Sequence, residues 1–271
     1  MATPTAEIGI VGGSGFYSYL DDPDLVEIDT PFGKPSAPLA VGQLAGRSVA
    51  FLPRHGRQHE YPPHRVNYRA NLWALRSVGV RQVLAPCAVG SLRPELGPGS
   101  VVVPDQVVDR TWGRAHTVYD RVGPVVHVSF GDPYCPRGRQ TVIEARDDVV
   151  AGGTLVVING PRFSSRAESA WHAAQGWSLV GMTGQPEAGI ARELALCYTC
   201  VALVTDHDAG VAAGEAVTHR EVLTMFAGNI DRLKNLLGAV VAELPPDETD
   251  EEAGCSCRRA LDGLVLPFDL P

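Results

Sequence analysis

Short apolar runs rich in β-branched residues recur along the chain at 7–11, 48–52, 82–85, 100–103, 125–129, 155–158 and 200–204, each closed by glycine, proline or polar residues. This is the pattern of buried strands. Between them lie stretches with helical periodicity. One puts Val66, Ala70 and Trp73 on a single face, and another begins at Pro186 and Glu187 and carries Ile190 and Leu194. The clearest helix opens with Thr218 and Glu221 in capping-box spacing and aligns Val222, Phe226, Ile230, Leu233, Leu237 and Val241. Strands alternating with helices predict an α/β layer fold. After Leu244 the pattern stops, and residues 245–254 (PPDETDEEAG) read as a solvated acidic linker before a short tail, 255–271.

Composition narrows this picture. With 271 residues, 45% of them hydrophobic, the chain can bury one substantial core, so a single domain over 1–271 is expected. A net charge of −8 argues against a broad surface for nucleic acid and requires any anion site to be local. No signal-peptide pattern or stretch of roughly 20 apolar residues stands out, so a cytoplasmic location without membrane attachment is expected. Six cysteines are too few for a disulfide scaffold, and their spacings give no paired zinc-knuckle pattern. Cys197 and Cys200 have C-x-x-C spacing at the border of a helical pattern and an apolar run, where buried thiols are the better expectation.

Four segments carry candidate chemistry. Gly12-Gly13-Ser14-Gly15 ends the first strand and is either a tight turn or a phosphate cradle of backbone N–H groups and a hydroxyl. The segment 54–59 (RHGRQH), with His64, Arg65 and Arg69 beyond it, concentrates cations in an acidic protein. Arg54 and His55 directly follow a strand and suit an anion, a guanidinium being able to grip phosphate bidentately, whereas Arg65 and Arg69 suit a solvated helix face. Past the 155–158 strand, Phe163 is a candidate to stack on a base or to sit as a hinge aromatic. Thr205-Asp206-His207-Asp208 places two carboxylates at a strand end, as an Asx turn or as acceptors for a heterocycle's N–H groups.

In this order, the segments 8–15 (IGIVGGSG), 29–36 (DTPFGKPS), 54–59, 160–169 (GPRFSSRAES) and 205–208 (TDHD) resemble the 5'-methylthioadenosine phosphorylase branch of the trimeric purine nucleoside phosphorylases, over roughly residues 8–240. The resemblance implies an α/β domain with a twisted, partly barrel-like central sheet, assembled as a homotrimer with sites at subunit interfaces. It implies phosphate held by Ser14, Arg54, His55 and Thr183 with help around Cys87 and Ala88, and purine and ribose packed by Phe163 and Met182. Asp206 would bind the base and assist catalysis, supported by Asp208, and His127 of a neighbouring subunit would approach the 5' end of the ribose. Ser164, His219 and His127 are the expected specificity positions. Inorganic phosphate is the expected co-substrate, with no metal or organic cofactor.

Two departures bear on specificity. Cys87 stands where animal enzymes carry threonine, which removes a hydroxyl that backbone donors would have to replace. His219 stands where methylthioadenosine phosphorylases usually carry an apolar residue and 6-oxopurine enzymes a histidine, so it either donates to a 5'-hydroxyl or faces water. The expected activity is phosphorolysis of S-methyl-5'-thioadenosine, with a broader purine nucleoside phosphorylase as the alternative and a nucleoside-binding protein without catalysis as a third possibility. Cys255-Ser256-Cys257 resembles a tail motif of some heat-stable relatives in which a disulfide can form. In a reducing cytoplasm free thiols are expected.

Overall fold

The structure is a computed structural model and describes residues 4–13, 16, 19–209, 219–246 and 255–271, without the side chains of 219 and 221–223. Ser14, Thr218 and positions 247–254 of the expected linker lie outside the described residues, as do the side chains of His219, Glu221 and Val222.

Eleven strands among the described residues join in one mixed sheet: β1 (Ile8–Gly12), β2 (Asp24–Val26), β3 (Leu39–Leu44), β4 (Arg47–Pro53), β5 (Gln82–Ser91), β6 (Val101–Val103), β7 (Gln106–Arg110), β8 (Val149–Ala151), β9 (Thr154–Ile158), β10 (Leu179–Gly181) and β11 (Cys197–His207). The helices are α1 (Tyr68–Ser77), α2 (Pro136–Glu144), α3 (Arg166–Ala174), α4 (Gly184–Glu193) and α5 (His219–Glu243). Leu72 and Trp73 of α1 and Ala188 and Ile190 of α4 pack into one hydrophobic cluster with β5 and β11 residues. Val142 of α2 and Phe226, Leu233, Leu237 and Val241 of α5 pack into a second. The helical stripe expected along α5 is therefore its buried face. No helix among the described residues is long and apolar enough to cross a membrane.

The sheet forks at β5. One flank of β5 pairs with β11 along its length, in register from Gln82↔Cys197 to Ser91↔His207. The other flank pairs with β1 only over 82–84 and with β10 only at 90–91. Between those two pairings no described strand pairs with this flank, and the expected strand 82–85 runs on through Pro86 to Ser91. Proline is tolerated because it has no N–H to leave unsatisfied there.

The expected strand at 125–129 is not one. This segment is irregular, Val125 is 75% exposed, and no neighbouring strand supplies a ladder. A β-branched run becomes a strand when a neighbouring strand gives it a surface to pack against, and among the described residues this one has none. Cys197 and Cys200 both lie within β11 and are buried. Three residues apart on a strand, they face opposite sides. Cys200 Sγ lies 3.6 Å from Cys87 Sγ, whereas Cys197 joins Cys135, Cys255 and Cys257 in a separate cluster. All six cysteines are free thiols.

Candidate active site

A cleft with an empty volume of about 940 Å³ opens where β5 lacks a neighbour. Side chains alternate along a strand, as do its backbone groups. Pro86 O faces the gap, where it accepts from Arg54 Nη1 (3.1 Å). By that alternation the Ala88 N–H points into the same gap, a backbone donor where the sequence led us to expect phosphate. Cys87 lines the cleft too, and its thiol lies against Cys200 Sγ at 3.6 Å.

Arg54 opens the turn after β4 and is 1% exposed. Its Nε donates to Glu187 Oε2 (2.7 Å) and its Nη2 to Glu187 Oε1 (2.8 Å) and Val11 O (3.1 Å). The bidentate face expected to grip phosphate is thus spent on Glu187, and of the five guanidinium N–H groups a single one on Nη1 has no acceptor among the described residues. Burial acts to lower the Arg54 pKa, but the Glu187 carboxylate more than offsets it and holds the guanidinium charged. A Cβ on Gly13 would come within 3.1 Å of Arg54 Nη1 and 3.0 Å of Pro86 O, so glycine there leaves this end of the cleft open.

His55 stacks on His59 with ring centroids 4.5 Å apart. Burial, and then the neighbouring Arg54 charge, push its pKa down to about 3, so the ring is neutral near pH 7. Its Nδ1 lies 2.8 Å from Tyr61 O. A carbonyl only accepts, so Nδ1 carries the proton and Nε2 presents a lone pair, suited to a P–OH or ribose hydroxyl. Thr183 caps α4 without spending its side chain on the helix, and it is buried at the cleft wall.

At the opposite end of the cleft, β11 carries a bulge between Val204 and Asp206. Without it Asp206 would stand beside Ser91, but the extra residue puts it beside Gly90. A Cβ on Gly90 would lie 3.1 Å from Asp206 Oδ1, so the missing side chain is what admits the carboxylate. Thr205 Oγ1 donates to Asp206 Oδ2 (2.7 Å). Asp208, 3% exposed, accepts a short hydrogen bond from Ser169 Oγ on α3. Phe163, Ser164 and Met182 complete this end, and the buried Ser164 Oγ has no hydrogen-bond partner. A buried hydroxyl without a partner on a cleft wall is a group kept for a ligand.

The expected residues Arg54, His55, Cys87, Ala88, Phe163, Ser164, Met182, Thr183, Asp206 and Asp208 thus line one cleft. Ser14 lies outside the described residues beside Gly13, and His219 opens α5 with its side chain undescribed. His127 is exposed on the segment between β7 and α2 and does not line the cleft of its own chain. Arg69 pairs with Asp120 and lies over the Phe32 ring, in keeping with a structural role.

The sequence reading missed Glu187, which looked like an ordinary first-turn acid of a helix. It also missed Arg114. Buried beneath the site, Arg114 donates to the carbonyls of Asn159 (2.8 Å), Met182 (2.9 Å) and Gln185 (2.5 Å), tying together the segments that follow β9 and β10. Neither belongs to a local motif, and each is recognisable only by its buried charge.

A model of the "Phosphorylase superfamily" matches residues 7–242. A purine nucleoside phosphorylase of Streptomyces coelicolor is 60% identical, with 98% of each chain covered. An S-methyl-5'-thioadenosine phosphorylase of Mycobacterium tuberculosis is 55% identical, with 97% of each covered. Among solved structures, a methylthioadenosine phosphorylase from an antarctic soil metagenomic library superposes with a TM-score of 0.88 at 38% identity, covering 97% of this chain and 93% of that one. The methylthioadenosine phosphorylase of Schistosoma mansoni in complex with adenine gives 0.84 at 38% identity, covering 88% and 91%. With a family model spanning most of its length and relatives this similar almost end to end, the chain belongs to the phosphorylase superfamily and has the nucleoside phosphorylase fold.

Proposed function

We propose that the protein cleaves S-methyl-5'-thioadenosine with inorganic phosphate, yielding adenine and 5-methylthioribose 1-phosphate. The observation that carries this reading is one cleft with an anion end, built from Arg54, His55, Thr183 and the Ala88 N–H, and a base end, built from Asp206, Asp208, Phe163 and Ser164. A phosphate oxygen held at the anion end attacks C1' of the ribose as the bond from C1' to N9 breaks, and the bond electrons pass to the purine. The transition state is a ribosyl cation, stabilised by the anion beneath it and by a leaving group that is accepting a proton. The Asp206 carboxyl delivers that proton to N7 and recovers one from solvent. The other oxygen of that carboxyl accepts from an exocyclic amine and has no proton to offer a 6-oxo group, which favours aminopurines. The protein supplies position and charge, and phosphate is the nucleophile.

In this reading the active form is a cytoplasmic homotrimer. Exposed Trp112, Val122 and Val125 lie on the same segment as His127 and supply an apolar face for a neighbouring subunit, which would bring His127 to that subunit's 5' pocket.

A broader purine nucleoside phosphorylase is the second reading, favoured by His219 at the start of α5 and by the name of the Streptomyces coelicolor relative. Adenine release from methylthioadenosine and from adenosine, each with and without phosphate, separates the two. Phosphate-dependent release that favours methylthioadenosine supports the first reading. Equal or faster turnover of adenosine supports the second, and release without phosphate refutes both.

A further inference from the structure

Cys135 caps α2, Cys197 opens β11, and Cys255 and Cys257 flank the start of a 3₁₀ turn in the tail. Distant in sequence, they meet in one buried cluster, the four side chains being 2%, 6%, 7% and 1% exposed. Their sulfur atoms all lie within 4.8 Å of one another, and Cys135 Sγ is 3.4 Å from Cys255 Sγ. Four thiolates about 2.3 Å from a tetrahedral Zn²⁺ stand roughly 3.8 Å apart, so the cluster needs only small adjustments to close on an ion. No pair stands at bonding distance, all four being free thiols.

The surroundings suit thiolates. Gly138 N–H donates to Cys135 Sγ (3.5 Å) at the positive end of α2. Arg192 Nη2 reaches Cys257 Sγ (3.8 Å), and Arg137 and Arg258 line the small cavity beside the cluster. These cations offset the double negative charge of a zinc tetrathiolate, and the N–H donors to sulfur are the outer contacts that such sites use.

We propose that Cys135, Cys197, Cys255 and Cys257 form a closed tetrathiolate site for a soft divalent cation, with Zn²⁺ as its occupant. Binding replaces four S–H protons by one Zn²⁺ and releases the protons to solvent. All four positions being protein sulfur, the site has no open place for substrate and is structural. Cys197 and Asp206 are nine residues apart on β11, so the metal sits about 30 Å from the base end of the cleft. Its effect is to pin the tail to the body, where Phe268 already packs on Trp73 and Tyr119.

The test uses the full chain made in a reducing cytosol and purified without chelator or an added metal-binding tag. Elemental analysis is expected to find about one Zn²⁺ per chain. Reduced apoprotein refilled with Co²⁺ is expected to show thiolate-to-metal charge transfer and the intense visible bands of a tetrahedral site. Cys255→Ser and Cys257→Ser should each lose those bands and the Zn²⁺ while keeping phosphorolysis, which reports that they fold. Reduced apoprotein that takes up neither Zn²⁺ nor Co²⁺ would overturn the proposal. So would serine variants that retain full metal, or protein alkylated under denaturing conditions on lysis in which these four cysteines take no alkyl group because they form two disulfides.

Discussion

Replacing Glu187 by glutamine tests whether the anion end is held by a buried ion pair. Glu187, itself 1% exposed, receives Arg54 Nε, Arg54 Nη2 and the Tyr198 hydroxyl (2.7 Å). Glutamine keeps one accepting oxygen and turns an N–H₂ donor toward groups that are themselves donors. The variant therefore leaves a buried guanidinium without its counter-charge and at least one N–H without an acceptor, a loss of about 3–5 kcal/mol. For a chain of this size that lowers Tm by roughly 6–20 °C. Calorimetry of parent and variant at one fixed concentration, without phosphate, measures the shift, and steady-state kinetics gives the KM for phosphate. The expected result is a Tm drop in that range together with a raised phosphate KM, because Arg54 loses the partner that aims its remaining N–H. A Tm within about 2 °C of the parent with an unchanged phosphate KM would refute the reasoning.

Other expectations address the two ends of the cleft separately. Asp206→Asn should move preference toward 6-oxopurine nucleosides, since the amide can donate to O6. A substrate panel in which adenine selectivity is unchanged would contradict the base-site assignment. Ser164→Ala should leave unfolding stability nearly unchanged, because its hydroxyl has no partner in the unliganded protein, while weakening nucleoside binding roughly fivefold, equivalent to about 1 kcal/mol. Scanning calorimetry checks the first part and calorimetric titration the second. His55 is held neutral with its pKa down at about 3 against 6.5 unfolded, so between those pH values the unfolded chain binds the extra proton and stability falls as pH falls, by up to about 1.4 kcal/mol per pH unit. His55→Gln should flatten that part of the stability profile, and identical slopes in urea titrations from pH 6.5 to 4 would count against it.

Much of this architecture was legible in the chain because buried strands such as β1, β4 and β9 are continuous apolar runs, and α5 shows its stripe over about five turns. The short strands β2 and β8 carry too few residues to show a period, and the 125–129 run has the right composition but no neighbour. Arg54, His55 and Asp206 were readable because they follow strands at the edge where α/β proteins build sites. Glu187, Arg114 and Gly90 were not. Their roles depend on what folding places opposite them, an arginine, three carbonyls and a carboxylate, and no local spacing encodes that. The cysteine cluster was invisible for the same reason, its four members coming from three separate parts of the chain.

The unpaired flank of β5 would ordinarily be a hazard, since a bare strand edge is a template on which any passing extended peptide can add itself. Here the template is only a few residues long and is already partly blunted. Pro86 offers no donor, its carbonyl is taken by Arg54, and the neighbouring residues on either side are back in register with β1 and β10. What is left facing the gap is the N–H and carbonyl of Ala88, too little for another strand to zip onto, with one donor for an oxygen of an anion. The interruption that rejects polypeptide is thus the same one that would admit phosphate in the proposed reaction, and any change that restored the ladder across it would seal the cleft from within.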